Sequence, residues 1–100
     1  MAKAAIGKLD HIGIAVKSIA EARKFFEGVL GAGFLYEHEN SASGYRLVEL
    51  DLNGTILELL EPLGEKSFLH GFLEKRGEGV HHLTLEVQDA REKIAELKQT

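Results

Sequence analysis

Three side chains, His11, Glu58 and His82, have the residue types and the predicted positions to bind a divalent metal ion together. Strand alternation places each histidine on the less bulky face of an apolar strand, and places Glu58 on one face with Ile56 and Leu60. A carboxylate among apolar neighbours is costly to bury unless it meets a cation or a proton donor. Two imidazoles and one carboxylate would fill half of an octahedral site, and this donor set suits cobalt, nickel, zinc, manganese or ferrous iron. Such a centre can polarise a carbonyl group and stabilise an enolate.

The other three histidines are predicted to lie outside this site. His81 precedes His82 and should point to the opposite face of the strand, as a partly buried structural residue. His38 and His70 are predicted to be surface residues. We therefore predict that alanine at position 11 or 82 lowers the metal content of the protein, whereas His70→Ala and His81→Ala do not.

The first 62 residues read as β-α-β-β-β, which supplies the strands that position the three side chains. Alternating apolar residues predict strands at 8–17, 34–39, 45–52 and 55–62, with a helix from Ser18 to the glycines at 31 and 33. Asn53-Gly54 is the strongest hairpin signal. Residues 63–78 are predicted to be a linker with a short helix that begins at Ser67, followed by a strand at 79–87 and a helix capped by Asp89.

The start of the chain recurs near its end. HIGIAVKS at 11–18 aligns with HLTLEVQD at 82–89, so that His11 aligns with His82 and the capping Ser18 with Asp89. The three apolar positions of the two strands also coincide. The repeat predicts a single domain over residues 1–100, with a complete βαβββ module at 8–62 and the start of a second module, β-α only, at 79–100.

Composition limits the classes of function and partner. The chain has 100 residues, a net charge of −4 and no cysteine, which excludes disulfides, thiolate metal sites and cysteine nucleophiles. The scattered lysines and arginines argue against nucleic-acid binding, and the short apolar runs argue against a membrane span. No signal peptide is recognised, so we expect a cytoplasmic protein. Because half of a second module would leave an apolar sheet face exposed, we also expect a homodimer.

Four segments of the sequence resemble the vicinal oxygen chelate superfamily, also called the glyoxalase/bleomycin resistance/dioxygenase superfamily. They are LDHIGIAV at 9–16, EARKFFEGVLG at 21–31, LELLEPLG at 57–64 and FLEKRGEGVHHLTLEV at 72–87. The last two are most similar to the methylmalonyl-CoA epimerase branch. The resemblance implies an α+β fold of paired βαβββ modules around a divalent metal, with cobalt favoured, and with metal ligands at His11, Glu58 and His82.

The resemblance also implies a reaction. Epimerases of this type remove the proton alpha to a thioester carbonyl and stabilise the resulting enolate with the metal, so the expected substrate is an acyl-CoA or another small carbonyl compound. The alternatives are a glyoxalase I-like lyase (lactoylglutathione lyase) acting on a hemithioacetal, and a small-molecule-binding member or fragment without catalysis.

Two positions depart from the family's pattern. The resemblance implies a fourth ligand, a glutamate near the end of the second module that also takes part in proton transfer, and this position would lie beyond Thr100. It implies a second proton-transfer glutamate just before the turn glycine of the hairpin between the second and third strands. Here residues 40–44, NSASG, contain no carboxylate. The sequence therefore assigns no catalytic acid or base and leaves open whether the chain is an enzyme.

Overall fold

The computed structural model describes residues 6–87, which form one five-stranded sheet and two helices. The strands are β1 (Ile6–Ala15), β2 (Gly33–Asn40), β3 (Tyr45–Leu52), β4 (Thr55–Pro62) and β5 (Gly79–Val87), and the helices are α1 (Ile19–Phe26) and α2 (Phe68–Arg76). Neither of these two helices is long and apolar enough to cross a membrane. The helix predicted after Asp89 lies outside the described residues, so the extent of the second module stays a prediction.

The strand order across the sheet is β2-β3-β4-β1-β5. β2, β3 and β4 form the predicted antiparallel meander. β1 pairs in parallel with β4 on one side and antiparallel with β5 on the other. The predicted α+β class and the βαβββ order are confirmed, and the strand after this module adds to the same sheet beside β1.

Helix α1 covers one face of the sheet. The Ser18 hydroxyl accepts a hydrogen bond from Glu21 N at 3.2 Å, and the Glu61 carboxylate accepts one from Ile19 N at 2.8 Å. Both contacts satisfy backbone donors of the first turn, which have no partner within a helix. The core beneath α1 consists of buried apolar residues from the helix, its flanking turns and the sheet: Val16, Ile19, Ala32, Val48, Leu50 and Leu59.

Helix α2 covers only one end of the opposite face. Its residue Leu69 is fully buried and belongs to a cluster with Ala15, Leu47 and Leu60. Ser67 begins the helix, since its Oγ accepts a hydrogen bond from Leu69 N at 3.2 Å. Within residues 6–87, no helix covers the centre of this face, where β4, β1 and β5 lie side by side; we call it the open face.

Leu69 is expected to be the anchor of α2. Leu69→Ala removes a side chain that is fully buried, and we expect it to lower the free energy of unfolding by about 2–5 kcal/mol. Urea unfolding followed by circular dichroism measures this change. Val29→Ala is the matched control, because Val29 is 71% exposed and its truncation should cost less than about 1 kcal/mol. Equal losses in the two variants would contradict the anchoring role.

Candidate metal centre

The structure brings His11, Glu58 and His82 together at the centre of the open face. His11 Nε2 lies 3.5 Å from Glu58 Oε2, and His82 Nε2 lies 3.7 Å from Glu58 Oε1. One ligand atom from each residue lies within 4.8 Å of the other two. The side chains are 17%, 13% and 35% exposed, in the order His11, Glu58, His82, so the group is partly buried and still open to solvent on the His82 side.

Gly13 provides the space in which His82 reaches Glu58. Gly13 pairs with Glu58 on one side and with His82 on the other, so the three residues form one row across the sheet. A Cβ at position 13 would overlap the His82 imidazole, which shows that this ring lies directly over Gly13. The absence of a side chain in the middle of the row therefore lets groups from two non-adjacent strands meet.

The sequence repeat explains why two histidines converge on one face. β1 and β5 carry the repeat and pair antiparallel, with Ile12 opposite Leu83. On one side of this pair His11 lies opposite Thr84, and on the other side His82 lies opposite Gly13. The repeat-related histidines are thus arranged about a local twofold axis, with their ring centroids 5.5 Å apart in an edge-to-face contact.

Asp10 orients His11, a role that the strand pattern did not predict. Asp10 Oδ2 lies 2.7 Å from His11 Nδ1, and Thr84 Oγ1 lies 3.0 Å from His11 Nε2. When Nδ1 donates its proton to Asp10, Nε2 is unprotonated and carries the lone pair. This nitrogen can then accept a hydrogen bond from the Thr84 hydroxyl, and it lies on the side of Glu58. A carboxylate that fixes the far nitrogen of a histidine is the usual support of a metal-binding imidazole. In the sequence, this contact could have been inferred from the position of Asp10 directly before His11.

The prediction that His81 points to the opposite face is wrong. The pairing of β1 and β5 shifts by one residue, because Gly13 pairs with His82 whereas the next pair is Ile14 with Val80. His81 is thereby left without a partner on β1. An extra residue of this kind redirects side chains, so simple alternation fails at this point.

His81 contacts both α2 and His82. Its ring centroid lies 4.9 Å from that of Phe72 and 5.7 Å from that of Phe68. Its Nδ1 lies 3.0 Å from His82 Nδ1, so that one of these nitrogens donates and the other accepts. His81 therefore links α2 to the far nitrogen of His82 and leaves His82 Nε2 directed toward Glu58.

The electrostatic surroundings favour a neutral His82. Burial lowers the pKa of His82, the Glu58 carboxylate opposes this shift, and His81 and His11 reinforce it. A lowered pKa keeps the imidazole uncharged at neutral pH, which is the form that offers a lone pair to a cation.

His38 and His70 lie away from this group, on exposed positions. The His38 ring stacks on Tyr36 with centroids 6.2 Å apart. His70 Nε2 lies 2.9 Å from the carbonyl oxygen of Gly64 and can donate to it. Neither imidazole belongs to the group of His11, Glu58 and His82.

The residues present fit a divalent ion. Nitrogen and oxygen ligands bound at about 2.0–2.2 Å to one ion lie no more than about 4.4 Å apart. The separations of 3.5 Å from His11 Nε2 to Glu58 Oε2 and of 3.7 Å from His82 Nε2 to Glu58 Oε1 fall inside this limit, and one ligand atom from each of the three residues lies within 4.8 Å of the other two. Three protein ligands on an open face would leave further coordination positions for water or for a small molecule.

Known proteins share both the sequence and the fold. The sequence profile of the Glyoxalase/Bleomycin resistance protein/Dioxygenase superfamily matches residues 10–100. The chain is 45% identical over 78 residues to the uncharacterized protein YqjC of Bacillus subtilis, which covers 78% of this chain and 56% of that one. It is 38% identical over 95 residues to the ethylmalonyl-CoA/methylmalonyl-CoA epimerase of Cereibacter sphaeroides, which covers 91% of this chain and 71% of that one.

A solved structure extends the likeness to the fold. A variant of Streptomyces coelicolor methylmalonyl-CoA epimerase, in complex with 2-nitronate-propionyl-CoA, superimposes with a TM-score of 0.84 at 31% identity. The match covers 95% of this chain and 70% of that one. The chain spans about half the length of several curated relatives that it matches.

Proposed function

Because the chain belongs to the glyoxalase/bleomycin resistance/dioxygenase superfamily, we propose that it is a divalent-metal-dependent protein of the methylmalonyl-CoA epimerase type. The proposed reaction is removal and return of the proton alpha to the thioester carbonyl of an acyl-CoA. The observation that carries this proposal is the convergence of His11, Glu58 and His82 on the open face of the sheet. The epimerase relatives, which are 35–38% identical to this chain over 94–95 aligned residues, support the substrate class.

Each residue of the centre has a separate task in this proposal. His11 Nε2, His82 Nε2 and one Glu58 oxygen would hold the ion, with cobalt favoured and zinc, nickel, manganese or iron as alternatives. A bound ion would supply positive charge that stabilises the developing enolate oxygen of the substrate. Asp10 fixes the tautomer of His11, and Gly13 leaves the space that His82 needs.

Two measurements test this function. Elemental analysis after incubation with cobalt and dialysis should find about one ion per chain. Incubation of that sample with methylmalonyl-CoA in D₂O should place deuterium on the carbon alpha to the thioester, which mass spectrometry detects. A folded protein that binds no cobalt, or that binds cobalt without any deuterium incorporation, would contradict the epimerase proposal.

A binding protein without turnover is the second candidate. Residues 40–44 contain no carboxylate, and Asn40 instead closes this turn by accepting a hydrogen bond from Ser43 N at 2.9 Å. Such a protein would bind 2-nitronate-propionyl-CoA when loaded with cobalt and would exchange no deuterium into methylmalonyl-CoA.

We also propose that the protein forms a homodimer. Leu83 and Leu85 of β5 are 61% and 50% exposed, and Leu35 of the edge strand β2 is 50% exposed. Exposed apolar side chains on a sheet favour association with a second copy. Sedimentation equilibrium should give twice the 11.0 kDa mass of the chain, and a monodisperse monomer would contradict the dimer.

The His81 contact changes one expectation derived from the sequence. We now expect His81→Ala to weaken cobalt binding by about 10–100-fold, because His81 supports the far nitrogen of His82. His70→Ala is the control and should leave the affinity unchanged, since His70 contacts the Gly64 carbonyl instead. Competition against a chromogenic chelator measures both affinities. Equal affinities in the two variants would show that His81 does not support His82.

A further inference from the structure

The row of residues that contains the candidate centre continues into β3 and β2. Glu49 of β3 lies directly opposite Glu58 of β4, and Tyr36 of β2 lies directly opposite Glu49. Directly opposed residues of antiparallel strands point to the same face of the sheet, with their Cβ atoms about 4.5–5.5 Å apart. Glu49 is therefore half-buried on the open face, one strand farther from His82 than Glu58 is.

Acidic residues near the candidate centre are held by other contacts. The Asp10 carboxylate lies against His11 Nδ1 at 2.7 Å. Asp51, two residues after Glu49 on the same strand, accepts a hydrogen bond from Gly54 N at 2.8 Å and so stabilises the hairpin. Glu58 faces both histidines. Glu49 thus places a carboxylate beside the centre in addition to the three candidate ligands.

We propose that Glu49 is a catalytic acid-base residue of the reaction proposed above, on which this inference rests. A thioester bound over Glu58 would present its alpha carbon within reach of the Glu49 carboxylate, which extends from the neighbouring strand. The C–H bond breaks, its electron pair passes into the enolate, and the proton bonds to a carboxylate oxygen of Glu49. The reverse step returns a proton to the same carbon, or a deuteron once the carboxyl proton has exchanged with D₂O.

The proposal is tested with Glu49→Gln in the full chain loaded with cobalt. Deuterium incorporation into methylmalonyl-CoA should slow by about 10²–10⁴-fold, as expected when a general base is lost. The cobalt content and the affinity for 2-nitronate-propionyl-CoA should stay within about twofold of the unsubstituted protein, because Glu49 is proposed to move a proton and not to bind the ion. Glu37→Gln is the matched control, since Glu37 pairs with Val48 of the α1 core and so lies on the opposite face.

A second variant separates a catalytic role from a structural one. In Glu49→Ala, added formate should restore part of the deuterium exchange in a saturable way, because a small carboxylate can occupy the space left by the side chain. Two results would overturn the role of Glu49 and leave the proposed function standing. One is that formate restores no exchange, and the other is that Glu49→Gln exchanges deuterium within about threefold of the unsubstituted protein. A cobalt-loaded, unsubstituted protein that exchanges no deuterium would overturn both this inference and the proposed function.

Discussion

Gly13→Ala is expected to abolish cobalt binding while the protein stays folded. A methyl group at position 13 would overlap the imidazole of His82, which lies across β1 to reach Glu58. The His82 ring can rotate away from the sheet and relieve this overlap. The variant should therefore lose His82 as a metal ligand and keep its fold. The backbone of Gly13 is not among the positive-φ glycines, so alanine adds no backbone strain there. Elemental analysis after dialysis, with circular dichroism on the same sample, measures both effects.

Gly79→Ala is the matched control for this substitution. Gly79 is another glycine of the β1–β5 pair, opposite Ala15, and a Cβ at that position would meet no atom within 4 Å. We expect this variant to bind cobalt like the unsubstituted protein. If Gly13→Ala also retained its cobalt, the path of His82 across β1 would not be required for the centre.

His11→Ala and His82→Ala are each expected to remove most of the bound cobalt. Each substitution deletes one of the three candidate ligands, so the loss of affinity should exceed the roughly 10–100-fold that follows from losing an outer partner such as Asp10. Cobalt titration followed by visible absorption measures the affinity of each variant. His38→Ala is the control, because His38 is exposed and stacks on Tyr36.

The pattern of losses identifies the ligands. Circular dichroism shows whether a histidine variant is folded. If an alanine variant is unfolded, the cobalt affinity of the conservative His→Gln variant at the same position is measured instead. Folded His11→Ala and His82→Ala proteins that bind cobalt as tightly as His38→Ala would contradict ligation by these two residues.

Local patterns in the sequence predicted each described strand and turn, although β1 begins and ends two residues before the predicted 8–17 and α1 ends at Phe26, before the predicted glycines. Alternating residues gave the limits of β3 and β4 at 45–52 and 55–62, and the structure has these same limits. Asn53 and Gly54 both adopt positive φ, as the hairpin signal required. Ser18 and Ser67 begin the two helices as predicted, because their hydroxyls accept backbone hydrogen bonds. Such features depend on neighbours in sequence.

Contacts between distant strands could not be predicted in the same way. Alternation assigned a face to His11, Glu58 and His82, but the row that joins Glu58 to His82 through Gly13 depends on the parallel pairing of β1 with β4. The redirection of His81 depends on a one-residue shift between β1 and β5, which leaves no local mark on the sequence. The pairing of Glu49 with Glu58, by contrast, follows from the predicted Asn53-Gly54 hairpin that joins β3 to β4.

X-ray absorption at the cobalt edge tests the central claim most directly, which is that His11, Glu58 and His82 hold one divalent ion. The spectrum of the cobalt-loaded protein should show two imidazoles in the first coordination shell, with oxygen ligands at about 2.0–2.2 Å. The imidazole signal should fall to one in either His11→Ala or His82→Ala when cobalt is supplied in excess. A first shell with oxygen ligands alone, or two imidazoles that persist in both variants, would contradict the account.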